Sequence, residues 1–121
     1  MGRRKEFQRR HLEKNKLFFL RVSQAKGKRR LRSVINEAKP QQLRSLILLI
    51  SAFYLKQLPV SAATVSKLKN SRKKSALKRY FGSHKKVVQL FKNKESWREV
   101  LLDLLPVIPT FVTNLYAPRA Q

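Results

Sequence analysis

The stretch Pro40-Gln41-Gln42-Leu43-Arg44-Ser45-Leu46-Ile47-Leu48-Leu49-Ile50-Ser51-Ala52-Phe53-Tyr54-Leu55-Lys56-Gln57 decides the fold. Leu43, Leu46, Ile47, Ile50 and then Phe53 or Tyr54 recur at i, i+3, i+4 and i+7, the spacing that gathers side chains on one face of a helix. Leu48 and Leu49 fall off that stripe, so the helix is apolar over most of its circumference. A helix of that kind is buried on several sides. Residues 41–57 are therefore expected to be the central element of a small core, with Pro40 before them and Pro59 closing the run.

Downstream, Ser61 is placed to cap a helix through Val65 and Leu68. From Asn70 or Ser71 to Phe81 the pattern continues with Leu77, Tyr80 and Phe81, and Gly82 is expected to be a left-handed stop. A short piece around Val87, Val88, Leu90 and Phe91 follows. Asn93 is then expected to cap the clearest amphipathic helix of the chain. Trp97, Val100, Leu101, Leu104 and Leu105 form its apolar face, Glu95, Glu99 and Asp103 its acidic one, and Pro106 stops it. Upstream, Lys5 to Ala25 reads as a helix around Leu12, Phe19 and Val22, with Phe18 and Leu20 adding bulk. Gly27 then opens a basic run that leads into a short helix to Ala38. No stretch alternates with period two between turn signals, so strands are not expected. The reading is all-α: a basic N-terminal arm with helical segments over 1–40 and room for flexibility, and a small helical domain over 41–121. That domain has a basic middle at 67–94 and a leucine-rich C-terminal helix.

Composition says what surrounds this core. The chain has 121 residues, 29 of them Lys or Arg against 6 Asp or Glu, for a net charge of +23, while 42% are hydrophobic. Self-repulsion on that scale opposes closure of a free globule, yet the apolar content exceeds that of a disordered basic polymer. A small core under a dense cationic coat is the consistent picture, and its default partner is a polyanion. The charge is uneven: residues 1–40 carry +11, 41–66 only +2, 67–94 again +11 without one acid, and 95–121 carry −1.

Several chemistries fall away. Without cysteine there is no disulfide, thiolate metal site or thiol nucleophile. His11 and His84 are too few for a histidine cage, and Gly2, Gly27 and Gly82 are too far apart to cradle a phosphate. The acids are too scattered for a carboxylate metal site, and no Ser–His–carboxylate frame is visible. The expectation is a protein that is not an enzyme, with no catalytic residue, no metal and no cofactor. The opening residues lack the apolar core of a secretory signal.

The candidate binding residues are Lys67, Lys69, Arg72, Lys73, Lys74, Lys78, Arg79, Lys85 and Lys86 in the middle block. The arm adds Arg3, Arg4, Arg9, Arg10, Lys28, Arg29, Arg30 and Arg32. A duplex carries one phosphate charge per about 1.7 Å of axis, and a cationic surface gains by releasing its condensed counterions. Solvated faces normally mix signs, and 28 residues without an acid do not. On a single helix, residues 67, 74, 78 and 85 would fall near one side. Phe18, Phe19, Tyr80, Phe81 and Trp97 are the aromatics available to stack on bases, with core packing the preferred reading for Phe81 and Trp97. No base-reading module is present, so contact with the backbone without sequence choice is expected. The apolar run from Val100 to Tyr116 is too interrupted to span a membrane. Leu101, Leu102, Leu105, Val107, Ile108, Phe111, Val112 and Leu115 exceed what one small core is expected to cover. That surplus points to a homo- or hetero-oligomer through the Leu/Ile-rich helices, and with the charge it leaves membrane contact as a lesser possibility.

Over residues 43–116 the chain resembles a family of small basic proteins of Polinton/Maverick elements and adintoviruses. The resemblance runs through Leu43-Arg44-Ser45-Leu46 at the head of an apolar helix and Leu58-Pro59-Val60-Ser61. It continues in a lysine-rich stretch through Leu68, Leu77-Lys78-Arg79-Tyr80 and Ser83, and a leucine-rich tail after Trp97. Where that family has Gly-Gly-Phe before the tail, this chain has Glu95-Ser96-Trp97. The resemblance implies a virion or genome-associated protein in the style of adenovirus core proteins, located in the virion and host nucleus, and carries over no catalytic residue. The composite expectation is a non-catalytic nucleic-acid-binding protein, with DNA preferred to RNA, that condenses or packages a genome. The alternatives are a ribosomal protein on ribosomal RNA, in the cytoplasm or an organelle, and a membrane-active basic protein.

Overall fold

The structure is a computed structural model that describes residues 13–55, 62, 66, 68, 69 and 71–116, with the backbone alone at 71 and 113–116. Among the described residues there are seven α-helices and no strand, as the sequence predicts: α1 (Lys16–Gln24), α2 (Gly27–Glu37), α3 (Pro40–Tyr54), α4 (Ser71–Phe81), α5 (His84–Lys92), α6 (Trp97–Asp103) and α7 (Ile108–Tyr116). A 3-10 turn, Lys94–Ser96, leads into α6. Pro59, the proposed Ser61 cap, and the parts of the first expected helix before residue 13 lie outside the described residues.

Local chemistry sets most of the boundaries. Gly27 has φ +83°, a left-handed conformation that breaks the chain between α1 and α2. Pro40 disfavours the helical region at the residue before it, and Lys39 is accordingly extended, with φ −79° and ψ 156°. Pro40 itself opens α3, where its missing N–H is no loss, and the Gln42 side-chain carbonyl accepts the Lys39 N–H at 2.8 Å. Ser83 is extended and its hydroxyl accepts the Lys86 N–H, a side-chain cap on α5.

Two expected stops are built differently. Gly82 has no positive φ. The position needs glycine for space instead, because a Cβ there would run into the backbone carbonyl oxygen of Lys78. Asn93 makes no side-chain cap; its carbonyl accepts the Ser96 hydroxyl at 2.8 Å, and the chain enters α6 through the 3-10 turn.

One core joins all seven helices. The central helix α3 buries Leu43, Leu46, Ile47, Leu49, Ile50 and Phe53 and packs against α4, α6 and α7. The expected arm shares this core from residue 18 onward: Phe18, Phe19 and Val22 of α1 and Leu31, Val34 and Ile35 of α2 are all buried. Helix α1 packs on α7, and α2 on α6. This corrects the surplus inferred from the apolar tail. Leu101, Leu105, Val107, Ile108, Phe111 and Val112 are buried inside the chain itself, Leu102 is half-buried, and the Leu115 side chain lies outside the described residues. The tail finds its cover because α1 supplies Phe18 and Phe19 from the far end of the sequence, while Phe53 of α3 stacks on Phe111 at a ring-centre distance of 5.3 Å.

Polar groups inside the fold find partners at long range. Buried Asn15 donates from Nδ2 to the Ser45 hydroxyl at 2.8 Å. Trp97 donates from Nε1 to the Leu90 carbonyl at 2.8 Å. The Arg98 guanidinium donates to the carbonyls of Ile35 and Ala38, at 3.4 and 2.7 Å, so a side chain of α6 closes the C-terminus of α2.

Candidate nucleic-acid interface

The cationic residues take their places from the apolar faces beneath them. In α4, Leu77 and Phe81 are buried, which turns Lys74 and Lys78 outward. In α2, burial of Leu31, Val34 and Ile35 leaves Lys28, Arg29, Arg30 and Arg32 exposed. Lys69, Arg72, Lys85 and Lys86 are exposed as well. Lys67, Arg3, Arg4, Arg9 and Arg10 lie outside the described residues.

Lys73 and Arg79 are engaged within the fold. Lys73 is half-buried and donates from Nζ to the Thr110 hydroxyl at 3.5 Å. Arg79 donates from Nη1 to Asp103 at 2.6 Å, and the Tyr80 hydroxyl donates to the same carboxylate oxygen at 2.6 Å. Burial, then the hydrogen bond to Asp103, pushes the Tyr80 hydroxyl above the ordinary tyrosine range near 10. The ion pair is well exposed and contributes little by itself; its effect is to keep Arg79 lying back toward α6. A second exposed pair joins Arg21 to Glu37 at 3.1 Å.

The single-helix face expected for residues 67, 74, 78 and 85 does not form, because α4 ends at Phe81 and residue 85 belongs to α5. The basic middle is instead a pair of packed helices. An open groove of about 620 Å³ runs between them and α6, with Arg79, Ser83, Lys85 and Lys86 on one side and Ser96 and Glu99 on the other. A smaller one of about 340 Å³ lies between α4 and the turn after α6, lined by Arg72, Lys73, Ser75, Arg79, Asp103 and Pro106. Lys26 and Lys92, which belong to the two basic blocks read from the sequence, are as exposed as the candidates, and so is Lys39, which lies apart from those clusters and had only its charge as a signal.

The aromatic candidates are largely committed to the core. Phe18, Phe19, Phe81 and Trp97 are buried, and half-buried Tyr80 has its hydroxyl tied to Asp103. The four buried rings are closed to stacking, and the exposed groups around them are mainly ammonium and guanidinium. Among the described residues, no three His, Asp or Glu side chains cluster as a metal site, and no helix is long and apolar enough to cross a membrane. No family model, curated protein or solved structure matches the chain.

Proposed function

We propose that this protein binds nucleic acid, DNA before RNA, through its phosphate backbone and without base readout, and that it condenses or packages a genome. The observation that carries this reading is the split between core and surface. Four of the five aromatics that would stack on bases, Phe18, Phe19, Phe81 and Trp97, are packed inside, while α2, α4 and α5 carry exposed lysines and arginines with few acids to answer them. Phosphate contacts set orientation and affinity but carry no sequence information. The likeness to basic proteins of Polinton/Maverick elements and adintoviruses supports the same reading, with the virion and host nucleus as its setting. The role requires no catalysis and no cofactor.

The test is a filter-binding titration of the full chain on short duplexes of unrelated sequence. If six to ten phosphates are neutralised, affinity falls by about 10³–10⁵ between roughly 50 and 200 mM salt. A flat salt response, or strong preference for one sequence, would defeat the proposal. Protection of a single site on ribosomal RNA would move the protein to the ribosome, and leakage of anionic vesicles at low protein concentration would move it to the membrane.

A further inference from the structure

Two groups of exposed cations among the described residues, one on α2 and one on the α4–α5 pair, lie on either side of α6. Successive residues of an α-helix turn by about 100°, so Arg98 and Asp103 stand about 140° apart around α6. They flank its buried face of Trp97, Val100, Leu101 and Leu104 on opposite sides. Arg98 reaches the carbonyls at the end of α2. Asp103 takes Arg79 and Tyr80 of α4. Helix α2 is therefore held on one flank of α6 and α4 on the other. Exposed Glu99 occupies the outer ridge between them, and exposed Glu95 precedes it in the 3-10 turn.

On the first flank α2 presents Lys28, Arg29, Arg30 and Arg32. On the second the α4–α5 pair presents Lys74 and Lys78 on its outer side, and Lys85 and Lys86 at the groove that opens toward α6. Lys78 and Tyr80 lie on opposite flanks of the Leu77–Phe81 face, about 160° apart around α4 at the same helical turn per residue. Because Tyr80 points to Asp103, Lys78 points away from α6. A phosphate chain laid from one cationic surface to the other across α6 would meet the Glu99 carboxylate, with Glu95 beside it, and like charges repel it there.

We infer that these are two independent tracks for polyanionic backbone, so that one molecule holds two duplex segments and bridges them. The inference rests on the reading of the protein as a phosphate-backbone binder and adds how condensation is achieved: by bivalent bridging, in which the second segment binds at the raised local concentration set by the first.

The experiment uses the full chain, one DNA duplex fixed to beads and a second, labelled duplex in solution. Single-duplex binding is followed in parallel by fluorescence anisotropy. The wild-type protein should bind duplex and capture the labelled one. One variant carries Lys28→Gln, Arg29→Gln, Arg30→Gln and Arg32→Gln; the other carries Lys74→Gln, Lys78→Gln, Lys85→Gln and Lys86→Gln. Each should retain single-duplex binding through its remaining track and lose capture, while all eight changes together should weaken single-duplex binding further than either variant alone and leave no capture. Far-UV circular dichroism confirms that the variants are folded, as expected for exposed sites. Capture retained by either single-track variant, or restored on mixing the two, would overturn the inference, since bridging would then come from one surface or from association of two molecules. Wild-type binding without capture overturns the inference alone; absence of wild-type binding overturns the underlying reading with it.

Discussion

Gly27 and Tyr80 show how single positions constrain this chain. Gly27 has open space where a Cβ would stand, so its requirement is conformational and not steric crowding. Gly27→Ala forces a side chain into the left-handed region and should lower stability by about 1–2 kcal/mol, read as a shift of the urea midpoint at unchanged slope. Tyr80 makes a prediction about pH. Its folded-state pKa lies above the ordinary value near 10, so the unfolded chain releases this proton first as pH rises. The stabilisation is complete below about pH 10 and is lost above it. Tyr80→Phe should flatten the alkaline limb of stability against pH and remove a late component from the phenolate absorbance titration. An unchanged alkaline limb would mean that the hydroxyl is not held by Asp103. The residue identities were plain in the sequence, but these roles were not. Arg98 caps a helix some 60 positions upstream, and Arg79, chosen as a phosphate ligand for its charge, is the one that Asp103 engages.

Among the elements, those with strong local punctuation were legible. Pro40 and the Leu43–Phe53 periodicity mark α3, and the Trp97–Leu105 spacing marks the buried face of α6. Termini that depend on tertiary space were not, as at Gly82, where the Lys78 carbonyl excludes a side chain without any left-handed turn. The status of α1 was equally hidden. Its charge pattern reads as an arm, whereas Phe19 is fully buried and its helix covers α7. Phe19→Ala should therefore cost about 3–5 kcal/mol, measured by denaturant unfolding followed on Trp97 fluorescence. A cost below about 1 kcal/mol, typical of a surface site, would show that α1 is an appendage after all.

Across the whole molecule, charge sets the conditions under which the fold is stable. With a net charge of +23 on 121 residues, mutual repulsion favours expansion, and salt screens it over a Debye length of about 10 Å at 0.1 M. The melting temperature should rise with added sodium chloride and rise further with a short polyphosphate at equal ionic strength; a melting point indifferent to both would mean that repulsion is not a significant cost. The sequence alone determined the helical class, the central helix and the cationic excess, because periodicity and charge are carried by neighbouring residues and survive without tertiary contacts. Only the tertiary structure decided that the apolar tail is covered by α1 and that Phe18, Phe19, Phe81 and Trp97 are committed to the core. Those outcomes depend on which distant faces meet, and the pattern of any single helix is compatible with several partners until packing selects one.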